Sequence, residues 1–179
     1  ELPEGGGSLI DLDRIDLNGL DPRLAECRIL IACDVDNPLC GPRGASAVYG
    51  PQKGATPEVV IELDAALSRY AQIARATTGR DIADLPGAGA AGGLGAGFLF
   101  FTQAELKPGV EIVLDAISFD HQVRESDWVL TGEGRTDFQT AFGKAPVGVV
   151  KRAAQVGGPT VWLSGGSGEG YQDVLVQGI

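Results

Sequence analysis

The stretch "WVLTGEGRTDFQTAFGKAPVGVVKRAAQV", residues 128–156, combines a strand-like run, a polar loop and a helical pattern. It opens with Trp128 to Leu130, a short apolar run that is typical of a buried strand. From Val147 to Val156 the apolar residues recur at helical spacing, which predicts a helix. Between the two elements lies a polar segment with two acids, two bases and three glycines. A strand that runs through a glycine-rich loop into a helix is typical of a βαβ unit.

Two further strands are predicted outside this stretch. "TVWLS" and "RILIAC", at residues 160–164 and 28–33, are short runs rich in β-branched and apolar side chains. Because such strands alternate with helical segments, we expect an α/β fold with a mainly parallel sheet and flanking helices. Ligands of these sheets bind at the carboxyl ends of the strands. The loops after Cys33, Thr131 and Ser164 are therefore the candidate walls of a site.

The helices are predicted from periodicity and from capping residues. Thr56 is an N-cap, Pro57 occupies the first helical position and Gly79 is a stop signal, so the clearest helix lies between them. We predict three further helical segments, at residues 90–106, 109–117 and 121–127. Residues 1–27 show no sustained period, and we expect them to be an irregular lead-in.

The composition sets limits on function. A formal net charge of −10 argues against an extended nucleic-acid-binding surface, which needs clustered lysines and arginines. No segment is apolar for long enough to cross a membrane. Cys27, Cys33 and Cys40 lack the spacing of a zinc site or a disulfide framework, so we expect reduced thiols in a cytoplasmic protein. The chain starts without methionine and ends within an apolar pattern, so we expect it to be part of a longer polypeptide.

The polar loop of residues 131–146 carries side chains suited to phosphate chemistry. Glu133 and Asp137 are carboxylates that can hold Mg²⁺ or accept a hydroxyl proton. Arg135 and Lys144 are anion-binding side chains, and the following helix presents its positive dipole end. The predicted substrate- or phosphate-binding residues of this loop are Gly132, Gly134, Gln139, Thr140 and Gly143. The GxxxxGK[ST] pattern is absent, so this is not a Walker A loop. A salt-bridged surface loop is the alternative interpretation.

Two loops nearer the start of the chain are also candidates. Asp34, Asp36 and Asn37 follow the first predicted strand, a position that suits a metal or hydroxyl ligand. The alternative is an Asx-turn, in which these side chains bond their own backbone. Gln52 and Lys53 lie in a loop that leads into the capped helix, where they would suit an anion or simply form a connection.

Three long strings together resemble one known family. They occur in the order "CDVDNPLCGPRGASAVYGPQKGAT" (33–56), "PGAGAAGGLGAG" (86–97) and "TGEGRTDFQTAFGKAPVGV" (131–149). In these strings the sequence is similar to bacterial glycerate kinases of type I, the glycerate 2-kinase-like family. The family's PDSFKGS-like, DGGEGT-like and GGSATNDGG-like motifs do not occur here. The resemblance is therefore to a central to C-terminal fragment of such an enzyme.

The resemblance implies an ATP-dependent kinase. Family members transfer the γ-phosphate of ATP to D-glycerate with Mg²⁺, giving 2-phosphoglycerate or 3-phosphoglycerate, and they have two α/β domains with the active site between them. We accordingly expect ATP and Mg²⁺ as cofactors, small-molecule partners, and neither a nucleic-acid nor a membrane partner, with a homo-oligomer left open. The fragment alone is expected to be inactive. A non-catalytic binding module for a small anionic metabolite, and a structural half-protein completed by another chain, are the alternatives.

The resemblance and the side-chain chemistry together suggest roles. The predicted catalytic residues are Glu133, Arg135, Asp137 and Lys144, and the first and third of these are also the expected Mg²⁺ ligands. Asp34, Asn37, Gln52 and Lys53 would form the opposing wall of the cleft. Residues 1–179 as a whole are expected to be a partial glycerate kinase-like region. We divide it into the lead-in at 1–27, a first strand with a helical segment at 28–127, and a strand-loop-helix-strand segment at 128–179.

Overall fold

The structure is a computed structural model that describes residues 2–138, 140 and 145–172. The chain divides into two units, Glu1–Lys107 (unit 1) and Pro108–Ile179 (unit 2). Each unit contains one pair of parallel strands together with helices. The predicted α/β class with parallel strands is therefore confirmed.

Unit 1 is built around two short strands and one long helix. Strand β1 (Leu30–Ala32) pairs in parallel with strand β2 (Glu105–Lys107). The helices of this unit are α1 (Ala45–Tyr49), α2 (Pro57–Thr78) and α3 (Ala90–Phe101), with 3-10 turns at Gly6–Asp11, Pro22–Ala25 and Pro51–Lys53. The buried core between them consists of Leu39, Ala74, Ile82, Ala88, Ala96, Leu99 and Phe100.

Helix α2 confirms the predicted caps. The hydroxyl of Thr56 accepts a hydrogen bond from the N–H of Val59 at 3.4 Å. At the other end Gly79 adopts a φ of 72°, which is the left-handed conformation that favours glycine, and its N–H donates to Arg75 O. Because both ends are determined by local hydrogen bonding, this helix could be delimited from sequence.

The segment after α3 contradicts the prediction of one long helix over residues 90–106. Helix α3 ends at Phe101, because the Thr102 hydroxyl donates to Phe98 O at 2.7 Å and the backbone of Thr102 is extended. The next residues form β2, which adds to β1. Pairing with a distant strand therefore outweighs the local apolar pattern. The start of α3 is also irregular, since Ala91, Gly92 and Gly93 have positive φ angles.

The glycine-rich string of residues 86–97 brings backbone segments close together. A Cβ placed on Gly89 would lie 2.2 Å from Pro38 O, and one on Gly95 would lie 2.4 Å from Gly87 O. Both distances are far below any real Cβ contact, so only glycine fits at these two positions. Close approach of the main chain thus accounts for glycine at these two points in unit 1.

In its described residues, unit 2 contains three helices and the second pair of strands. Strands β3 (Val129–Glu133) and β4 (Thr160–Ser164) are parallel and in register from Val129↔Thr160 to Glu133↔Ser164. Its helices are α4 (Gly109–Ala116), α5 (Phe119–Arg124) and α6 (Ala145–Gln155). Val147, Val150 and Ala153 are the buried residues of α6, which confirms the predicted apolar face.

One arginine links the three helices of unit 2. The guanidinium of Arg152 on α6 bonds to Glu111 at 2.7 Å, Asp115 at 2.9 Å and Asp120 at 2.6 Å. The hydrogen bond from Arg152 holds the pKa of Asp120 below its usual range. This cluster lies within the helices and contains none of the predicted site residues.

The predictions about thiols and membranes can be compared with the structure. Cys27, Cys33 and Cys40 are free cysteines, as expected. Within the described residues, no helix combines the length and the apolar character needed to cross a membrane.

Candidate active site

The two glycine-rich loops of unit 2 leave the sheet side by side. Strands β3 and β4 are parallel and end opposite each other at Glu133 and Ser164. Two of the three loops that the sequence marked as site walls are therefore adjacent. An open cleft of about 510 Å³ lies at this edge, and its lining residues are Leu130, Thr131, Gly132, Glu133, Gly134, Leu163, Ser164 and Gly165.

Hydrogen bonding between the two loops continues beyond the strands. The N–H of Gly165 donates to Glu133 O at 3.1 Å, and that of Thr136 donates to Gly166 O at 2.9 Å. Further along, the N–H of Gly168 donates to Thr136 O at 2.7 Å, and Phe138 N–H donates to Glu169 O at 3.0 Å. Residues 133–138 and 165–169 thus form a paired ribbon, which we call the paired loops.

The paired loops bring two of the predicted catalytic side chains together. Side chains alternate along an extended segment, so Arg135 and Asp137 project to the side opposite Thr136. An added Cβ on Gly168 would lie 2.9 Å from Arg135 Nε and 2.9 Å from Asp137 Cβ. Both side chains therefore flank the Cα of Gly168, and the missing side chain there makes room for them. A cation and a carboxylate are presented next to each other at the edge of the sheet.

A buried hydroxyl holds the third charged residue of the loop. Thr140 is fully buried, and its hydroxyl donates a short hydrogen bond to Glu133 Oε1. The hydroxyl oxygen of Thr140 also accepts a hydrogen bond from the N–H of Asp137 at 3.1 Å. Thr140, predicted to bind substrate or phosphate, thus connects the carboxylate of Glu133 to the backbone of Asp137. Gln139, Gly143 and Lys144 lie outside the described residues.

The two predicted glycines in this region have different surroundings. A Cβ on Gly132 would lie 1.9 Å from the carbonyl oxygen of Leu163 in the neighbouring strand. Gly132 is therefore required for the spacing between β3 and β4. In the described part of the chain, a Cβ on Gly134 would have open space around it, and Gly134 borders the cleft.

In unit 1 the predicted site residues following β1 support the loop itself. The side-chain amide of Asn37 donates to Arg43 O at 2.8 Å and its oxygen accepts the hydroxyl of Tyr49 at 2.6 Å. Its backbone carbonyl accepts from the N–H groups of Gly87 and Gly89. Asn37 therefore connects its loop to α1 and to the glycine-rich string. This is a different arrangement from the Asx-turn that the sequence suggested.

The remaining predicted residues of unit 1 lie at its surface. Asp34 is exposed just after β1, and Asp36 forms an exposed ion pair with Arg43 at 2.7 Å. Gln52 and Lys53 are exposed in the 3-10 turn Pro51–Lys53. Lys53 lines a cavity of about 180 Å³ together with Gly6, Ala45, Ser46, Tyr49, Gly50, Leu63, Leu67 and Gly92. Tyr49, which lines this cavity with Lys53, also donates its hydroxyl to Asn37.

The described residues contain no cluster of three or more His, Cys, Asp or Glu side chains able to hold a metal ion. Glu133 and Asp137 remain as two oxygen donors on one loop. Two carboxylates are a donor set that suits Mg²⁺, which usually takes one or two carboxylates and completes its shell with phosphate oxygens and water. The chemistry of these residues therefore fits the ion that the sequence suggested.

Sequence reasoning missed the residues that hold the paired loops. Thr136 is buried, and its hydroxyl bonds to the Trp162 indole and to the Ser164 hydroxyl. Gly168 provides the space for the charged side chains. Thr136 stands between two charged residues, and this alternating pattern indicates an extended segment. The residues that bond to its hydroxyl, however, are 26 and 28 positions away in the sequence. Only the register of β3 against β4 brings them together.

Sequence similarity places the chain in a known class of protein, and residues 1–179 belong to the glycerate kinase family. A glycerate kinase from Halalkalibacterium halodurans is 51% identical over 178 residues, and a glycerate 2-kinase from Escherichia coli K12 is 48% identical over 165 residues. These matches cover 99% and 92% of this chain but 47% and 43% of the two relatives. The chain thus spans about half the length of the curated relatives it matches.

A solved structure agrees with this assignment. The crystal structure of a protein from Salmonella typhimurium LT2, assigned there as glycerate kinase 2, matches with a TM-score of 0.83 and 45% sequence identity. The match covers 94% of this chain and 47% of that one. The family resemblance that the three strings suggested is confirmed.

Proposed function

We propose that the full-length protein transfers the γ-phosphate of ATP to a hydroxyl group of D-glycerate. The observation that carries this proposal is the presence of Glu133, Arg135 and Asp137 on the paired loops at the carboxyl ends of β3 and β4. This edge of a parallel sheet is where α/β proteins bind ligands. The names of the curated relatives support glycerate as the acceptor, and the name of the Escherichia coli relative favours the 2-hydroxyl.

The chemistry that this assignment requires is positioning and charge neutralisation. The acceptor oxygen forms a bond to the γ-phosphorus while the bond from that phosphorus to the β–γ bridging oxygen breaks, and ADP leaves. We assign the hydroxyl proton to the carboxylate of Asp137 or Glu133. Arg135 would bind the carboxylate of glycerate or the transferred phosphoryl group, where its charge is worth most as negative charge develops.

The proposal includes Mg²⁺, which the carboxylates of Glu133 and Asp137 would hold. When bound, the ion would neutralise charge on the phosphates of ATP. Because the Thr140 hydroxyl contacts Glu133 Oε1, the orientation of that carboxylate depends on Thr140. Asp34, Asn37, Gln52 and Lys53, together with Gln139, Gly143 and Lys144, stay predicted contributors to substrate binding. The free thiols are the form expected in a reducing cytoplasm, which we retain as the proposed location.

The test uses Arg135→Ala and Asp137→Asn in the full-length protein. Because both side chains lie at the proposed reacting centre, we expect kcat/KM for glycerate to fall by more than about 10²-fold with the thermal midpoint nearly unchanged. ADP release with ATP and D-glycerate measures the rate. Arg14→Ala and Asp13→Asn, which change exposed side chains of unit 1, are the matched controls.

Two results would count against the proposal. Turnover of both variants within about tenfold of wild type, roughly 1.4 kcal/mol of barrier, would show that the loop is not catalytic. Calorimetric binding of ATP and glycerate without ADP formation would instead favour the binding module for a small anionic metabolite. In that case the two variants should weaken the binding of ATP or glycerate in the same calorimetric measurement.

A further inference from the structure

Thr136 is a buried threonine between the two charged residues that the proposed function uses. Its side chain is 5% exposed, and it points away from Arg135 and Asp137. We propose that Thr136 is a positioning residue, whose hydroxyl holds the paired loops so that Arg135 and Asp137 stay together beside Gly168. This inference rests on the proposed function for its catalytic consequence.

The hydroxyl of Thr136 is the middle of a directed chain of hydrogen bonds. The indole Nε1–H of Trp162 donates to Thr136 Oγ1 at 3.0 Å. Thr136 Oγ1 donates in turn to Ser164 Oγ at 2.9 Å, and Ser164 Oγ donates to Gly166 O at 2.6 Å. The indole N–H can only donate and the Gly166 carbonyl can only accept, so these two ends fix the direction of the chain. The Thr136 hydroxyl connects them, because it accepts one hydrogen bond and donates another.

The backbone of Thr136 also bonds to the loop that follows strand β4. Its N–H donates to Gly166 O, the carbonyl that also accepts the Ser164 hydroxyl, and its C=O accepts the N–H of Gly168. Thr136 therefore bonds to the second loop through its main-chain N–H and C=O, while its side chain bonds to Trp162 and Ser164 in strand β4. The chain of hydrogen bonds starts at the indole of Trp162 in strand β4. It therefore fixes the position of the loop relative to the sheet.

Gly168 connects the position of Thr136 to the positions of the two charged side chains. Arg135 Nε and Asp137 Cβ both approach the Cα of Gly168, and the bond from Gly168 N–H to Thr136 O sets that separation. Loss of the hydroxyl removes the link between the threonine and the sheet while leaving residues 135 and 137 chemically intact. A shift of about 1 Å at a reacting group can cost about 10²-fold in rate.

Thr136→Val and Thr136→Ser separate the hydroxyl from the shape of the side chain. Valine keeps the volume and loses the hydroxyl, whereas serine keeps the hydroxyl and loses the methyl group. In the full-length protein we expect Thr136→Val to lower kcat by at least about tenfold with KM for ATP little changed, and Thr136→Ser to stay within about threefold of wild type. Thr160→Val, in strand β4 of the same unit, is the matched control and should leave kcat unchanged.

Amide hydrogen exchange supplies a readout that needs no substrate. If the hydroxyl holds the paired loops, Thr136→Val speeds exchange at Thr136 and Gly168, whose N–H groups bond across the loops, and leaves the amides of α6 protected. Unchanged exchange in Thr136→Val, or equal kcat for the valine and serine variants, would overturn the proposal. Faster exchange throughout unit 2 would also overturn it, because the role would then be general stability. A wild-type protein that releases no ADP with glycerate would contradict the proposed function, and exchange would still decide the role of the hydroxyl in ordering the loops.

Discussion

The loop after β1 and the loop after β3 begin alike and are held in different ways. Each follows a parallel strand, and each carries two acids that the sequence marked as ligands. In the loop after β1 the polar side chains bond within their own unit, since Asp36 pairs with Arg43 and Asn37 bonds to Tyr49. In the loop after β3, buried hydroxyls make the supporting bonds. Two charged residues of that loop, Arg135 and Asp137, lie side by side at Gly168.

The two loops differ in which groups hold the chain in place, and this separates a candidate site from a supporting loop. Where hydroxyls and backbone groups supply most of the bonds that hold the chain, substitution of the charged side chains should affect turnover before it affects stability. Where the charged and amide groups themselves hold the chain, their substitution should first affect stability.

Gly132→Ala should produce the largest effect on stability. The added Cβ would lie 1.9 Å from Leu163 O, so β3 and β4 cannot keep their register. We expect a loss of about 3 kcal/mol or more in the free energy of unfolding, measured by urea denaturation of the full-length protein. Gly134→Ala, whose Cβ has open space among the described residues, is the control and should change stability by less than about 1 kcal/mol. Equal stability of the two variants would contradict the strand spacing described above.

Asn37→Ala should reduce stability by an intermediate amount. It removes the bonds to Arg43 O and from the Tyr49 hydroxyl, which together should cost about 2 kcal/mol. Tyr49→Phe removes only one of these bonds and should cost about 1 kcal/mol. Denaturant midpoints measure both effects. If Asn37→Ala instead leaves stability unchanged and abolishes turnover, the loop after β1 acts directly on substrate and the comparison with the loop after β3 fails.

Arg152→Gln should have the smallest effect on the site, because its guanidinium bonds to Glu111, Asp115 and Asp120 of the helices. We expect a lower thermal midpoint and an unchanged KM for glycerate, the reverse of Arg135→Ala. The folded-state pKa of Asp120 lies below its ordinary value because of Arg152, so this contribution to stability is present above about pH 4 and is lost as pH falls further.

Thermal midpoints recorded from pH 6 down to pH 3 check the acid dependence of Arg152→Gln. The difference between wild type and variant should be constant near neutral pH and should shrink below about pH 4, where Asp120 becomes protonated. A difference that grows as the pH falls would contradict the assigned role of the Arg152 cluster.

The parts of the fold that could be predicted are those with local causes. The caps of α2 are sequence-local, and the apolar runs of β3 and β4 are bounded by glycine-rich loops. Strand β2 could not be found in this way, because Glu105–Lys107 has no β-branched residue and becomes a strand only by pairing with β1.

The candidate site likewise contains residues that could be predicted from local sequence and residues whose roles depend on distant partners. Glu133, Arg135 and Asp137 could be selected from their chemistry and their place after a strand. The supporting role of Thr136 could not be, since it requires the indole of Trp162 and the hydroxyl of Ser164, which the parallel register brings near. Asn37 could be noticed as a polar residue after a strand, but its bond to Tyr49 depends on where α1 lies.

The most direct test of the central claim is to follow the reaction of the full-length protein with ATP and D-glycerate by phosphorus NMR, with wild type and Asp137→Asn side by side. We predict that wild type forms ADP and a phosphate ester of glycerate in equal amounts, with the ester on the 2-hydroxyl. The variant should form the same product more than about 10²-fold more slowly. Absence of any glycerate ester with wild type, or equal rates for the two proteins, would contradict the assignment of phosphoryl transfer to the paired loops.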